Sequence, residues 1–321
     1  MRYIRSIHLI YIEYIFFKNK KASAVAKPFL KWAGGKSQLI PEIVKRLPEY
    51  VYNKSPYQYV EPFSGSAAVA IHLLTSEHPP SKVILNDINT DLINLYQVVQ
   101  ANPEELIAHL KIIQSEYDKL ESKEDKQPYY YQKREQFNGR SVDPVYHAAL
   151  FVFLNRAGFN GLYRVNKKNE FNVPIGSYKR PSFVFEDNIR HVSKLLSNTE
   201  IYNKNFDSLL DLSQENSGLP TFFYFDPPYK PLNDSSSFTA YAKGSFNDDD
   251  QVKLKEYCDA LDSQGYQWLL SNSDPSSVDS NNTFFDELYS EYMIERVQAS
   301  RSINSKGSKR GKVNELLIRN Y

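Results

Sequence analysis

Asp226-Pro227-Pro228-Tyr229 closes the apolar run Thr221-Phe222-Phe223-Tyr224-Phe225, and its residue types suit chemistry on an amino group. The run is uncharged, aromatic-rich and bounded by prolines, so it reads as a short buried strand. A strand that stops at an acid leaves a carboxylate at the carboxyl end of a sheet, where open α/β folds bind ligands. Each proline fixes its own φ, lacks a donor and restricts the residue before it. The Pro227 carbonyl is thereby held, without a partner, beside the Asp226 carboxylate. Two fixed acceptors suit an amino group, and Tyr229 offers a flat face to a ring. The same four residues would also serve as a plain proline turn, so the rest of the chain has to decide.

A second cluster lies upstream. Gln58-Tyr59-Val60-Glu61 reads as a strand, Phe63-Ser64-Gly65-Ser66 as a tight turn and Ala67 to Thr75 as a helix. Lys82 to Leu85 is a second strand ending at Asn86-Asp87, and a second helix runs from Thr90 to Gln100. Gly65 lets the chain turn tightly beneath a ligand, and Asp87 follows about twenty residues on, where an acid can bond ribose hydroxyls. Asp87 could equally cap the helix after it. The turn has too few glycines for a pyrophosphate cradle and carries the acid Glu61, so a positively charged nucleoside fits better than a dinucleotide. Lys31-Trp32-Ala33-Gly34-Gly35-Lys36-Ser37 imitates a phosphate loop, but Leu30 stands where that pattern needs glycine. A glycine turn carrying Trp32 and Lys36 over the edge of a ligand is the better reading.

The elements that position these residues follow an interrupted βαβα pattern. Such a start argues for a parallel sheet covered on both faces. Between about Pro103 and Val184 the alternation stops. Glu104 to Leu120 reads as a helix, then come a polar, charged stretch, an apolar segment from Val145 to Leu154, and a Gly-, Asn- and Lys-rich loop from Asn155 to Gly176. This block reads as an inserted helical subdomain with a functional loop. The α/β pattern resumes near Phe185 with strands at Glu200 to Tyr202, Thr221 to Phe225, Tyr266 to Leu270 and Glu315 to Tyr321, and a helix from Asp248 to Ser263. The expected organisation is an extension over residues 1–26, a core domain from 27–102 and 185–321, and an insert over 103–184.

A chain of 321 residues buries a sizeable core, and its net charge of +1 hides local bias. Arg301 to Lys312 holds five basic residues and no acid, and Arg164 to Arg180 holds five against Glu170 alone. Basic patches on a balanced chain fit a protein that meets a polyanion with one face, although a single such patch is usually solvated surface. One cysteine, Cys258, excludes an intrachain disulfide framework, and the six histidines make no metal-ligand spacing. No metal is expected. The apolar stretch from Tyr3 to Phe17 is broken by Arg5, His8 and Glu13, so it cannot span a bilayer and imitates a signal peptide only weakly.

Together these blocks resemble the Dam-type (class D12) DNA adenine-N6 methyltransferases, most closely the GATC-modifying enzymes of Dpn-like restriction-modification systems. The resemblance rests on Pro28-Phe29-Leu30-Lys31-Trp32-Ala33-Gly34-Gly35-Lys36, Val60-Glu61-Pro62-Phe63-Ser64-Gly65 and Asn86-Asp87-Ile88-Asn89. It continues through Asn155 to Arg164, Glu170-Phe171-Asn172-Val173-Pro174, Asp226 to Tyr229 and the basic tail from Arg301 to Lys312. It covers nearly everything from Lys27 onward, in the family's order. Ala67 stands where the family turn has its second glycine; at the start of a helix it is expected to be sterically mild.

The resemblance implies a Rossmann-like, S-adenosylmethionine-dependent methyltransferase sheet with an inserted, mainly helical DNA-recognition subdomain. It implies S-adenosylmethionine as cofactor, with Trp32 and Lys36 at its methionine end, Phe63 and Gly65 in the loop, Asp87 at the ribose, Phe206-Asp207 at the adenine edge and Asp226 beside it. Double-stranded DNA is the implied partner, read by Lys31, Phe159, Asn160, Leu162 and Arg164, while Asp226, Pro227, Pro228 and Tyr229 act on a flipped adenine. It implies a cytoplasmic, nucleoid-associated enzyme without a membrane partner, working beside a separate cognate restriction endonuclease. A cytosine-N4 methyltransferase, or an inactive DNA-binding protein retaining the fold, would keep much of the same pattern.

Overall fold

The computed structural model describes residues 26–32, 34, 36–210, 218–232, 246–300 and 312–321. The proposed extension (all but its last residue), Ala33, Gly35 and the basic residues Arg301, Lys306, Lys309 and Arg310 lie outside the described residues. Ala26 is already buried, and Lys27 exchanges two backbone hydrogen bonds of 2.8 Å with the Asn188 side chain.

A seven-stranded sheet runs in the order β3-β2-β1-β4-β5-β7-β6. Its strands are β1 (Gln58–Glu61), β2 (Lys82–Asn86), β3 (Thr199–Tyr202), β4 (Thr221–Phe225), β5 (Gln267–Ser273), β6 (Met293–Ser300) and β7 (Lys312–Arg319). The first five strands in that spatial order are parallel, and β7 is antiparallel to both β5 and β6. The reversal of direction at β1 opens a crevice at the carboxyl ends of β1 and β4, as open α/β sheets do where the strand order switches. Every residue of β4 is buried, which is why the run reads as continuous hydrophobic sequence rather than alternation. The strand β6, which carries Glu295 and Arg296, gave no apolar signal; it is recruited by full-length pairing to β7.

Helix α1 (Ala68–Leu74) follows β1, and α2 (Thr90–Ala101) follows β2. The insert adds α3 (Pro103–Asp118), α4 (Lys123–Gly139) and α5 (Pro144–Ala157). The polar stretch after α3 is thus a helix, started by a capping box between Ser122 and Asp125 and burying only Tyr130 and Phe137. Beyond the insert, α6 (Glu186–Leu196) leads into β3, and α7 (Asp248–Ser263) precedes β5. One hydrophobic cluster joins Val69 and Ile71 of α1, Leu92 and Leu95 of α2 and Phe151 and Phe153 of α5. The insert is therefore packed into the core beside the sheet rather than around an apolar centre of its own.

Ala67 is not mild. It precedes α1 in the left-handed conformation (φ 51°, ψ 32°) with its methyl fully buried. That backbone costs an L-residue about 1–2 kcal/mol, so the turn after β1 carries strain that glycine would avoid.

Candidate active site and nucleic-acid interface

The turn after β1 and the end of β2 are fastened to one another by buried polar groups. Asn86 donates to the Pro62 and Lys204 carbonyls, each at 3.0 Å, and accepts from the Lys204 N–H at 2.9 Å. One side chain thus clamps the three loops that follow β1, β2 and β3. The Gly65 N–H donates to Asp87 Oδ2 at 3.0 Å, and the Asn89 N–H to Oδ1 at 2.9 Å. Asp87 is not the helix cap: Asn89 caps α2 through the Leu92 N–H at 3.1 Å. Gly65 sits at φ +46°, and a Cβ there would lie 2.9 Å from Trp32 Nε1. Glycine is required because the indole closes down on the turn.

Around this floor lie the other residues that the sequence singled out as cofactor contacts. Phe63 and Phe206 are neighbours, with ring centroids 5.2 Å apart. Asp207 is exposed in the short helical turn Phe206–Ser208, which Asn205 caps. Ile88, beside Asp87, is 71% exposed, an apolar side chain left open at the rim of the crevice.

Lys36 reaches the turn that ends β4. It is buried, its Nζ lies 2.7 Å from Asp226 Oδ1, it donates to the Gly34 carbonyl at 2.6 Å, and it sits 4.3 Å from the centre of the Tyr229 ring. The Asp226 side chain retains 21% exposure, so the carboxylate is reachable from the crevice. Ser271 of β5 donates to the same oxygen at 3.3 Å. Among the described residues no donor reaches the Pro227 carbonyl, whereas the Pro228 carbonyl accepts from Gln251 at 3.1 Å. The Tyr229 hydroxyl donates to Glu315 of β7 at 2.8 Å. Gln251, Ser271 and Glu315 had no sequence signal beyond membership of ordinary elements.

Three acids, Glu61, Asp87 and Asp226, end adjacent strands β1, β2 and β4. Burial pushes the Glu61 carboxyl up to about 8, with the Asp226 and Asp87 charges adding to the shift despite hydrogen bonds from Tyr59 and the Ala70 N–H. Burial also raises Asp87 and Asp226 above the ordinary carboxylate range, and the Lys36 charge opposes the shift at Asp226. A site whose acids repel one another and resist ionisation favours a ligand that brings positive charge. It fits a cationic nucleoside. Among the described residues no group of His, Cys, Asp or Glu is arranged to hold a metal ion, and no helix is long and apolar enough to cross a membrane.

On the insert side, the loop after α5 is more ordered than its composition suggested. Bridges pair Gly158 with Ile175 and Val165 with Phe171, making a small hairpin. Asn155 ties it to the amino-terminal segment, accepting from the Lys31 N–H at 2.9 Å and donating to the carbonyls of Lys31 at 2.7 Å and Gly161 at 2.9 Å. Lys31 lies against Gly161, where a Cβ would be 2.4 Å from its own, and its Nζ is 3.9 Å from the centre of the Tyr178 ring. Phe159 is exposed beside Asn160, which holds a positive φ of 55°. Arg164 is exposed and aimed by Asn172, whose Oδ1 accepts from Nε at 2.7 Å. Leu162 is half-buried and packs on the core rather than standing free. Between these residues, Tyr163 stacks on Trp32 (5.8 Å, 25°) and donates to Asp91 at 2.7 Å, joining the loop to the crevice.

A mostly parallel α/β sheet of this order, with acids at the strand ends and an acid-Pro-Pro-aromatic turn, defines a Rossmann-like methyltransferase. The family model for the D12 class N6 adenine-specific DNA methyltransferases matches residues 32–303, and the chain belongs to that family. It is similar to the Type II methyltransferase M.MjaIII of Methanocaldococcus jannaschii, 45% identical over 92% of this chain and 99% of the relative. It is also similar to the DNA adenine methylases of Salmonella typhi (37%) and Escherichia coli K12 (36%), each over 91% of this chain and 94% of theirs. The protein is an adenine-specific DNA methyltransferase, and its substrate is DNA.

Proposed function

We propose that the protein transfers a methyl group from S-adenosylmethionine to N6 of an adenine flipped out of duplex GATC. The observation that carries this reading is the pair of acceptors at the end of β4: a reachable Asp226 carboxylate and a Pro227 carbonyl to which no donor comes among the described residues. The target amino group is paired inside the stack, so the base must leave the duplex before these groups can reach it. Tyr229, braced by Glu315, then lies flat against the base. Asp226 and the Pro227 carbonyl would accept hydrogen bonds from the two N6 hydrogens and so turn the nitrogen lone pair outward. As the nitrogen takes the methyl group and the methyl–sulfur bond breaks, one of those protons would pass toward Asp226 and the other stay on N6. Positive charge developing at that nitrogen is stabilised by Asp226, an effect on the order of a few kcal/mol.

When bound, S-adenosylmethionine supplies a methyl group on a positively charged sulfur. Trp32 and Lys36 would line its methionine end, Phe63 and Gly65 the loop, Asp87 would bond the ribose, and Phe206 and Asp207 would meet the adenine ring. Arg164 makes a bidentate contact with guanine, the commonest specific major-groove pairing. Lys31 contacts a second guanine, Leu162 a thymine methyl, and Phe159 with Asn160 parts the base pair. Lys167, Lys168, Lys179 and Arg180 neutralise phosphates, so binding weakens with salt. The enzyme works on cytoplasmic DNA at the nucleoid, and a restriction endonuclease of the same specificity is its partner activity. Labelled S-adenosylmethionine with GATC and scrambled duplexes, followed by identification of the modified base, tests the reading. N6-methyladenine confined to GATC is expected; methylcytosine, or equal labelling of both duplexes, overturns it.

A further inference from the structure

Two consecutive prolines leave the Asp226–Tyr229 segment short of N–H donors, so it cannot be pinned by ordinary ladder bonds. Its geometry depends on what reaches its carbonyls. Gln251, fully buried in the first turn of α7, donates from Nε2 to the Pro228 carbonyl at 3.1 Å. The Gln251 Oε1 accepts from Asn272 Nδ2 at 3.2 Å, and Asn272 is also fully buried. Asn272 Oδ1 in turn accepts the Lys230 N–H at 3.2 Å, and Ser273 Oγ donates to the Lys230 carbonyl at 2.6 Å. The chain just past the two acceptors is therefore gripped on both sides of Tyr229.

Helix α7 does not need this amide. Its start is already satisfied by a capping box between Asn247 and Asp250, and Leu254, Cys258 and Leu261 supply its apolar face. The bond between the two amides is not itself a large source of stability, since an apolar pair of the same shape could fill the space between them. What an apolar pair could not do is hold the Pro228 carbonyl. We propose that Gln251, backed by Asn272, is a positioning residue for methyl transfer. It fixes the Pro228–Tyr229 peptide, so that the Pro227 carbonyl and Asp226 face one point, the amino group of the extruded base. This rests on the reading of Asp226 and Pro227 given above.

Two near-isosteric substitutions test it. Gln251→Met removes both bonds, and Gln251→Glu keeps the acceptor toward Asn272 but removes the donor to Pro228. For each, the single-turnover rate on a GATC duplex is compared with equilibrium affinities for S-adenosylmethionine and DNA, with activity normalised to titrated cofactor sites. Fluorescence of 2-aminopurine at the target position reports extrusion of the base. The expected result is a rate roughly ten- to a hundredfold lower, as for a misplacement near 1 Å, with both affinities and the fluorescence rise close to wild type. Rates within twofold of wild type overturn the proposal. So do affinities that fall in step with the rate, because a merely structural residue would act that way. If the wild-type protein makes no N6-methyladenine under the same conditions, the underlying reading fails too; if it does and the variants match it, only the role of Gln251 is lost.

Discussion

The Nζ of Lys36 lies 2.7 Å from Oδ1 of Asp226, so a buried cation rests on the carboxylate that is to receive the amino group. The pair favours the ionised form of an acid that burial disfavours. Burial raises the Asp226 carboxyl, and the Lys36 ammonium is the largest influence working against that rise.

Replacing Lys36 by methionine removes that counter-charge, so Asp226 holds its proton to a higher pH. Lys36→Met is expected to lower turnover and to move the acid limb of its pH profile upward. The sign follows because the ionised carboxylate is the useful form and its loss begins at a higher pH in the variant. Turnover measured across pH checks this; superimposable profiles for variant and wild type would separate Lys36 from the ionisation of Asp226.

Asp226→Ala removes the acceptor itself. Methylation is expected to fall at least about 10²- to 10³-fold, the range seen when one preorganised electrostatic contact is lost. Cofactor affinity by calorimetry is expected to survive, since Gly65, Asp87 and Phe63 remain. Near-normal turnover in this variant would sink the proposed chemistry.

Glu61 makes stability depend on pH in an unusual direction. Its folded carboxyl is raised from 4.5 to about 8. Between those values the unfolded chain has released a proton that the folded chain retains, so folding stability declines as pH rises. The contribution is complete below 4.5 and gone once pH passes about 8. Glu61→Gln keeps an acceptor for Tyr59 and the Ala70 N–H but cannot titrate. Its melting temperature is expected to fall less than that of wild type over this interval. Parallel curves would refute the assignment.

Asp91 is the hub between α2 and the insert, accepting from Arg140, from Tyr163 at 2.7 Å and from His147 at 3.0 Å. Burial pushes its carboxyl up, yet hydrogen bonds from His147, Arg140 and Tyr163 outweigh this and hold it at about 2. Its contribution is present above 3.8 and is lost as pH falls through about 2. Asp91→Ala leaves Arg140 without its main partner and is expected to cost about 3–5 kcal/mol, as for a broken buried pair. Chemical denaturation at neutral pH measures it; a loss below ~1 kcal/mol would place the pair with weak surface ion pairs.

The hairpin after α5, proposed to read DNA, offers two graded tests. Arg164→Ala is expected to cost roughly 1–3 kcal/mol of discrimination at one guanine, read as relative methylation of GATC and a site altered there. Gly161→Ala puts a Cβ 2.4 Å from that of Lys31, at a φ of +64°. It is expected to displace Lys31 and weaken site preference while Asp226 chemistry persists on a pre-extruded base. Unchanged preference in both variants would move the recognition surface elsewhere.

Much of this was legible in the chain because it is local. Strands β1, β2 and β4 are apolar runs bounded by turn residues, and each ends at an acid that marks the crevice. Gly65 reads as a turn wherever it is met; only the fold shows that Trp32 is what lies above it. Helix α4 escaped notice because its charged surface hides a buried face of two aromatic residues, and β6 because an edge strand needs a partner more than apolar sequence. Ala67 misled, since a residue type does not report its own φ when packing on both sides dictates it.

The sequence by itself determined which acceptors stand at the end of β4, because prolines restrict the backbone whatever surrounds them. It also carried the order of motifs from which the family can be known. Only the tertiary structure decided which groups address those acceptors. Lys36, Gln251, Ser271 and Glu315 come from four separate stretches of chain and meet at Asp226–Tyr229 through strand order and helix packing. Side-chain pairing across elements depends on that order, and local periodicity does not encode it.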